Sequence, residues 1–165
     1  MKLLHALIGG FAGACAVTVL HQVIKKNDED APRMDLLGME SITKLLQKAG
    51  VEPPEGDKLY YMTMVGDIVS NTIFYSLTGV GDKKTWLKGT VLGLAAGLGA
   101  VLLPKPLGLN EKHSNRTAQT QLLSVLYYFT GGVVSSAIIK LLDRKNAGVL
   151  QQVASKVKEQ HILKL

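Results

Sequence analysis

What the chain lacks sets the first bounds. It has one cysteine, Cys15, in 165 residues, so no disulfide scaffold can form within it. It has no internal repeat and no collagen-like period. It also lacks charge over long stretches. Leu3–Ile24 runs 22 residues without Asp, Glu, Lys or Arg. Leu59–Val80 is 22 residues with Asp67 alone, Trp86–Leu103 is 18 with Lys88 alone, and Leu122–Leu142 is 21 with Lys140 alone. These apolar blocks exclude intrinsic disorder. The overall 47% hydrophobic content and mean hydropathy of +0.18 conceal them. The length bounds the chain to one domain.

A hydrocarbon core of roughly 30 Å needs about 20 apolar residues in a helix, and a lipid-exposed backbone must satisfy its own hydrogen bonds. The chain therefore reads as an all-α polytopic membrane protein with four transmembrane helices, at about 3–24, 59–80, 86–103 and 122–142. The third is the shortest, with only Gly89–Leu103 free of charge. Lys88 can snorkel to the interface and lengthen it. The second carries Tyr60, Thr63, Asp67, Ser70 and Asn71 at helical spacing. Such a polar face suits a span that turns it into a bundle; the alternative is a helix lying on the membrane surface.

Met1-Lys2-Leu3-Leu4 before an apolar run resembles a signal peptide, and Ala12-Gly13-Ala14-Cys15 a lipoprotein cleavage site. The run continues well past Cys15, however, and Ala12 stands where such sites usually carry Leu. A span is the expected reading. Between the first two spans, Met34–Ala49 places Met34, Leu37, Ile42, Leu45, Leu46 and Ala49 near one face. That predicts an amphipathic helix with Pro32 before its start and Gly50 as its stop. Pro53-Pro54-Glu55-Gly56 then breaks the chain. A second amphipathic helix is expected at about 146–160, with Val149, Leu150, Val153, Ala154 and Val157 on one face. The first could lie on the membrane surface or cap the bundle, and the second could lie on an interface or a partner.

With four spans, both termini and the Gly79–Lys88 loop share one side. That side carries Lys2, Lys83, Lys84, Lys88, Lys140, Arg144, Lys145, Lys156, Lys158 and Lys164 at higher density than the other. The positive-inside rule then puts both termini in the cytoplasm. Tyr60, Tyr61, Trp86, Tyr127 and Tyr128 fall near span ends, as aromatic belts do. The net charge of +6 points to anionic lipid rather than nucleic acid.

The small residues give the clearest pattern. Gly89, Gly93 and Gly97 form two overlapping G-x-x-x-G steps, and Gly9 and Gly13 a third. Such spacing lets helix backbones approach closely. Two uses are open: packing of the first and third spans inside the chain, or a face docked on another subunit. Asp67 is the single carboxylate in mid-span, and burying it ionised is costly. With Asn71 one turn on, it could form a proton or cation site, or it could be a hydrogen-bonded helix contact. A cation path would want a second membrane carboxylate, and a dimer's second Asp67 is the one available candidate.

His5 and His21 are sixteen residues apart, about 24 Å of helix, so they cannot bind one metal or haem together. Each is expected at an interface; the alternative is a single axial haem ligand, with a partner supplying the other. No zinc spacing links His113 and His161, no phosphate loop is present, and Ser135 and Ser136 have no nucleophilic partners nearby. No catalytic set, cofactor or metal site is expected.

The Gly-rich first span, the Ala31-Pro32-Arg33 element after it and the Gly-rich later span resemble small multi-pass bacterial inner-membrane proteins of the YagU type. The likeness covers about 130 residues and implies a bacterial inner-membrane protein without catalysis. The leading expectation is a structural or accessory subunit of a larger membrane complex, in contact with lipid and with other subunits or copies of itself. The alternative is a small oligomeric ion- or proton-coupled transporter or channel using Asp67.

Overall fold

The computed structural model describes residues 2–81 and 84–162, with the side chains of 149, 150 and 152–162 outside that description. Among these residues six α-helices follow in order: α1 (Lys2–Asn27), α2 (Met34–Lys48), α3 (Gly56–Ser76), α4 (Thr85–Leu102), α5 (Lys112–Asn115) and α6 (Ala118–Ile162). A single 3-10 turn, Leu77–Gly79, follows α3. Among the described residues there is no strand.

Three helices are long and apolar enough to cross a membrane: α1, α4 and the Ala118–Gly148 part of α6. The segment expected as a fourth span, 59–80, forms α3 but does not reach the same hydropathy. Still, α3 runs antiparallel to α1 over most of its length. Gln22 near one end of α1 bonds Tyr60, and Gly10 towards the other end packs on Thr72 and Ser76. Its outward stripe, Tyr61, Val65, Val69 and Ile73, is exposed, while Thr63 and Asn71 are buried. Thr63 and Asn71 are thus turned inward and Asp67 is half-buried, while Ser70 stays exposed and the apolar stripe faces outward.

Helices α1, α3, α4 and α6 alternate up and down. Two of them, α1 and α4, pack on α6, and α3 packs on the other side of α1. The interior reverses the order of a water-soluble protein. Among the described residues, eight buried hydrophobic side chains are outnumbered by eleven buried polar or charged ones. Leu, Val, Ile and Phe instead cover the outside, as with Leu4, Phe11, Val19, Val91, Leu98 and Leu126. Lipid supplies no hydrophobic drive between helices, so the contacts use small residues and hydroxyls.

The glycines fix the helix pairing. A Cβ on Gly13 would lie 2.5 Å from the Gly131 carbonyl oxygen, one on Gly93 2.8 Å from Phe129 Cα, and one on Gly97 2.7 Å from Val125 Cα. Gly9 closes on Ile139 and Ser135, and Gly89 on Ser136 and Gly132. Both glycine faces therefore pack inside the chain. They meet α6 on two sides rather than each other, because α6 carries its own small pair, Gly131–Gly132, and the serines one turn on.

α2 ends in a Schellman motif: Gly50 (φ +73°) donates to Gln47 O and Val51 to Leu46 O, so a residue without a Cβ suits the stop. α2 is packed against α3 and α5, as a helix capping the bundle would be, and Gly38 closes on Thr63. The second amphipathic segment, 146–160, is not a separate element. Nothing interrupts the backbone after residue 142, and α6 runs 45 residues, about 67 Å. The side chains that would make that segment amphipathic lie outside the described residues.

Candidate functional site: a buried charged seam

The site grows from the turn between α1 and α2. Ala31 and Pro32 are buried. The Arg33 N–H donates to His113 O at 2.7 Å, and Thr120 Oγ1 donates to Asp30 O at 2.8 Å. Gln119 and Arg116 hold Asp28 and Asp30 from the start of α6 and the turn before it. The turn is thereby pinned onto the α5–α6 connection. This forces Asp35, in the first turn of α2, into the bundle.

Asp35 is 6% exposed. Arg33 grips it with two hydrogen bonds, Nε to Oδ1 at 3.1 Å and Nη2 to Oδ2 at 3.0 Å. Lys25 Nζ donates to Oδ2 at 3.1 Å. His21 Nε2 stands 3.6 Å from Oδ1, too far for a hydrogen bond. Burial pushes the Asp35 carboxyl up, but His21, Arg33 and Lys25 outweigh it and hold the group well below the usual carboxylate range. Lys25 also lies 5.9 Å above the Tyr60 ring, which ties the cluster to α3.

His21 is 4% exposed, enclosed between helices. The α2 end of the chain folds over it and the Tyr127 ring lies 6.1 Å away, centroid to centroid. Two neighbouring helices supply polar atoms here that have no hydrogen-bond partner: Thr18 Oγ1 and His21 Nε2 from α1, and Tyr127 OH from α6. Buried polar atoms without a partner are rare enough to mark a functional candidate.

His21 is also within electrostatic reach of Asp67. Asp67 accepts a hydrogen bond from Asn71 Nδ2 at 3.0 Å. It lines a cleft of about 240 Å³ between α2 and α3, with Gly38, Ser41, Ile42, Thr63 and Ser70. Asp67 and Asn71 are thus brought together as their spacing suggests. A second buried carboxylate within the chain is Asp35, delivered by a loop. Sequence reasoning missed it because Asp35 lies outside the apolar blocks. Its signal was the Ala31-Pro32-Arg33-Met34-Asp35 string, where a proline-fixed turn sets a guanidinium two residues before a carboxylate.

The remaining candidates lie elsewhere. His5, at the N-terminal end of α1, bonds Asp143 at 2.8 Å and Asn146 at 3.0 Å. Ser135 and Ser136 donate to the carbonyls of Tyr75 and Thr85 at 3.1 Å each. Among the described residues, no group of three His, Cys, Asp or Glu side chains converges as a metal site would. No family model, curated protein or solved structure matches the chain.

Proposed function

We propose that this is a non-catalytic integral membrane protein with four spans, α3 being the fourth, that moves or senses a proton or small cation along its buried charged seam. One observation carries the reading: Asp35 and His21 stand 3.6 Å apart beneath the start of α2, and Asp67 lines the cleft between α2 and α3, inside a shell of outward-facing apolar residues. Ionisable groups at membrane depth are costly, and they are retained where charge must pass or be sensed. The inward polar face and outward apolar stripe of α3 support its crossing. Asp67, with Asn71 and the cleft beside it, is the binding element, and α2 lies over the way in. The same-side placement of the N-terminus and the α6 extension, with their lysines and arginines, supports a cytoplasmic position for both. The layout favours a bacterial inner membrane.

The test is flux of protons and of sodium or potassium in liposomes holding the purified chain. Wild type should conduct or exchange at least one of them, and Asp67→Asn should abolish it. Silent wild-type liposomes, or unchanged flux in the variant, would remove the proposal.

A second reading is favoured by the length of α6. The 14 residues 149–162 continue past the apolar core, a rod of about 21 Å on which another subunit could dock. It supports an accessory role in a larger membrane complex. The glycine faces no longer do, since α6 already fills them. Mild-detergent purification from native membranes tests it: stoichiometric partners that depend on residues 149–162 are expected, and a lone chain would overturn it.

A further inference from the structure

A second cavity lies apart from the charged seam. Helices α3 and α4 barely touch, and between them runs a groove of about 410 Å³. Leu37 and Ser41 of α2 roof it, Phe74 and Tyr128 close its inner end, and Ala96 and Gly99 form the α4 wall. The wall continues from Ala95 through Ala100 to Leu103, and the rim is Pro104, Leu107 and Leu109. Small residues on α4 make the room. No ionisable side chain other than the Tyr128 phenol lines it.

We propose that this groove is a site for one acyl chain of a glycerophospholipid from the leaflet on the α2 side. Three observations define the occupant. The α4 wall belongs to a helix long and apolar enough to cross a membrane, so the groove opens sideways into hydrocarbon and not into water. Its depth matches one leaflet: Ala95 to Leu103 is eight residues, about 12 Å of helix rise, against about half of a 30 Å core. It is closed at its inner end by Phe74 and Tyr128, whose backbone carbonyl is fixed by the Tyr75 hydroxyl at 2.7 Å, so a chain enters from the α2 end and stops near mid-membrane. The rim carries Lys105 beside Glu111 at 3.5 Å and Lys44 beside Glu40 at 2.9 Å, a polar edge at headgroup level. Such a chain would prop α3 and α4 apart and seat α2, which explains how two helices of one bundle remain separated without collapse. The inference is independent of ion movement.

The experiment is native mass spectrometry of the full chain, purified in mild detergent and delipidated stepwise. Wild type should keep one phospholipid per chain after bulk lipid is gone. Leu98→Phe, on the exposed outer face of α4, should keep it as well. Ala96→Phe fills the groove and should lose it. Gly99→Leu is the second filling variant, and thermal melts identify which variants fold. Loss of all lipid from wild type together with bulk lipid would overturn the site. So would retention in the folded filling variants, or a dimer mass in which a second chain replaces the lipid.

Discussion

Two glycines ten residues apart on α4 should respond to alanine in opposite directions. A Cβ on Gly89 would fall inside contact distance of the Gly132 carbonyl and of Ser136 Oγ. Ser136 Oγ is committed to Thr85 O and Gly132 O at 3.1 and 2.9 Å, and a backbone carbonyl cannot turn aside. The helices must separate, which in a packed contact costs about 1–3 kcal/mol. Alanine returns about 0.5–1 kcal/mol of backbone entropy relative to glycine within a helix. Gly89→Ala should therefore destabilise by about 1–2 kcal/mol. Gly99→Ala meets only the flexible end of Leu103 at 3.4 Å, so the entropic gain stands and the change should be zero to slightly stabilising. A gap of about 2 kcal/mol is roughly a 30-fold difference in the unfolding equilibrium. Reversible unfolding in mild detergent by titrated denaturing detergent, followed by circular dichroism, measures it. Equal effects of the two substitutions, or stabilisation by Gly89→Ala, would refute the close α4–α6 contact.

The other expectations concern the polar interior. Asp35→Asn leaves Lys25 and His21 buried against a neutral amide and should cost about 3 kcal/mol, with faster hydrogen exchange in α2 as its local sign. For the same group, the folded carboxyl sits below the unfolded value of about 3.9. Its stabilising effect is then fully present above that value and fades as pH falls through it towards the folded value. Protection of α2 against exchange should fall as pH drops below about 4 towards the folded value; protection unchanged down to about pH 2 would contradict the assignment to Asp35. Tyr75→Phe removes the bond to Tyr128 O and should cost about 1 kcal/mol in the same unfolding assay, with no change if the hydroxyl were solvated. Asp67→Asn should leave the unfolding midpoint near wild type while abolishing flux, and a large loss of stability with intact flux would make it a packing residue instead.

Much of the fold is local and was therefore open to reading. Whether Leu3–Ile24 or Trp86–Leu103 can enter a bilayer depends on transfer of its own side chains, so the apolar blocks mark α1, α4 and the first part of α6. The inward face of α3 could be read from the spacing of Thr63, Asp67 and Asn71, since a helix repeats its faces every 3.6 residues. The helix stop at Gly50 is likewise a property of a few neighbouring residues. The continuation of α6 through Asp143 and Arg144 was less visible, because a drop in hydropathy marks a membrane boundary and not a helix end.

What the sequence alone determined is which segments are apolar, which faces are small and where the chain must turn, because each rests on residues close together along it. What only the tertiary structure decided is which partner each face meets. Nothing near Gly9 or Gly89 says that both pack on opposite sides of α6. Nothing near Asp35 says that it is buried, since that follows from Thr120 and His113, some 80 residues away, holding its turn in place. The charged seam exists because three distant segments, each unremarkable by itself, meet where water is excluded and charge is costly to leave unpaired.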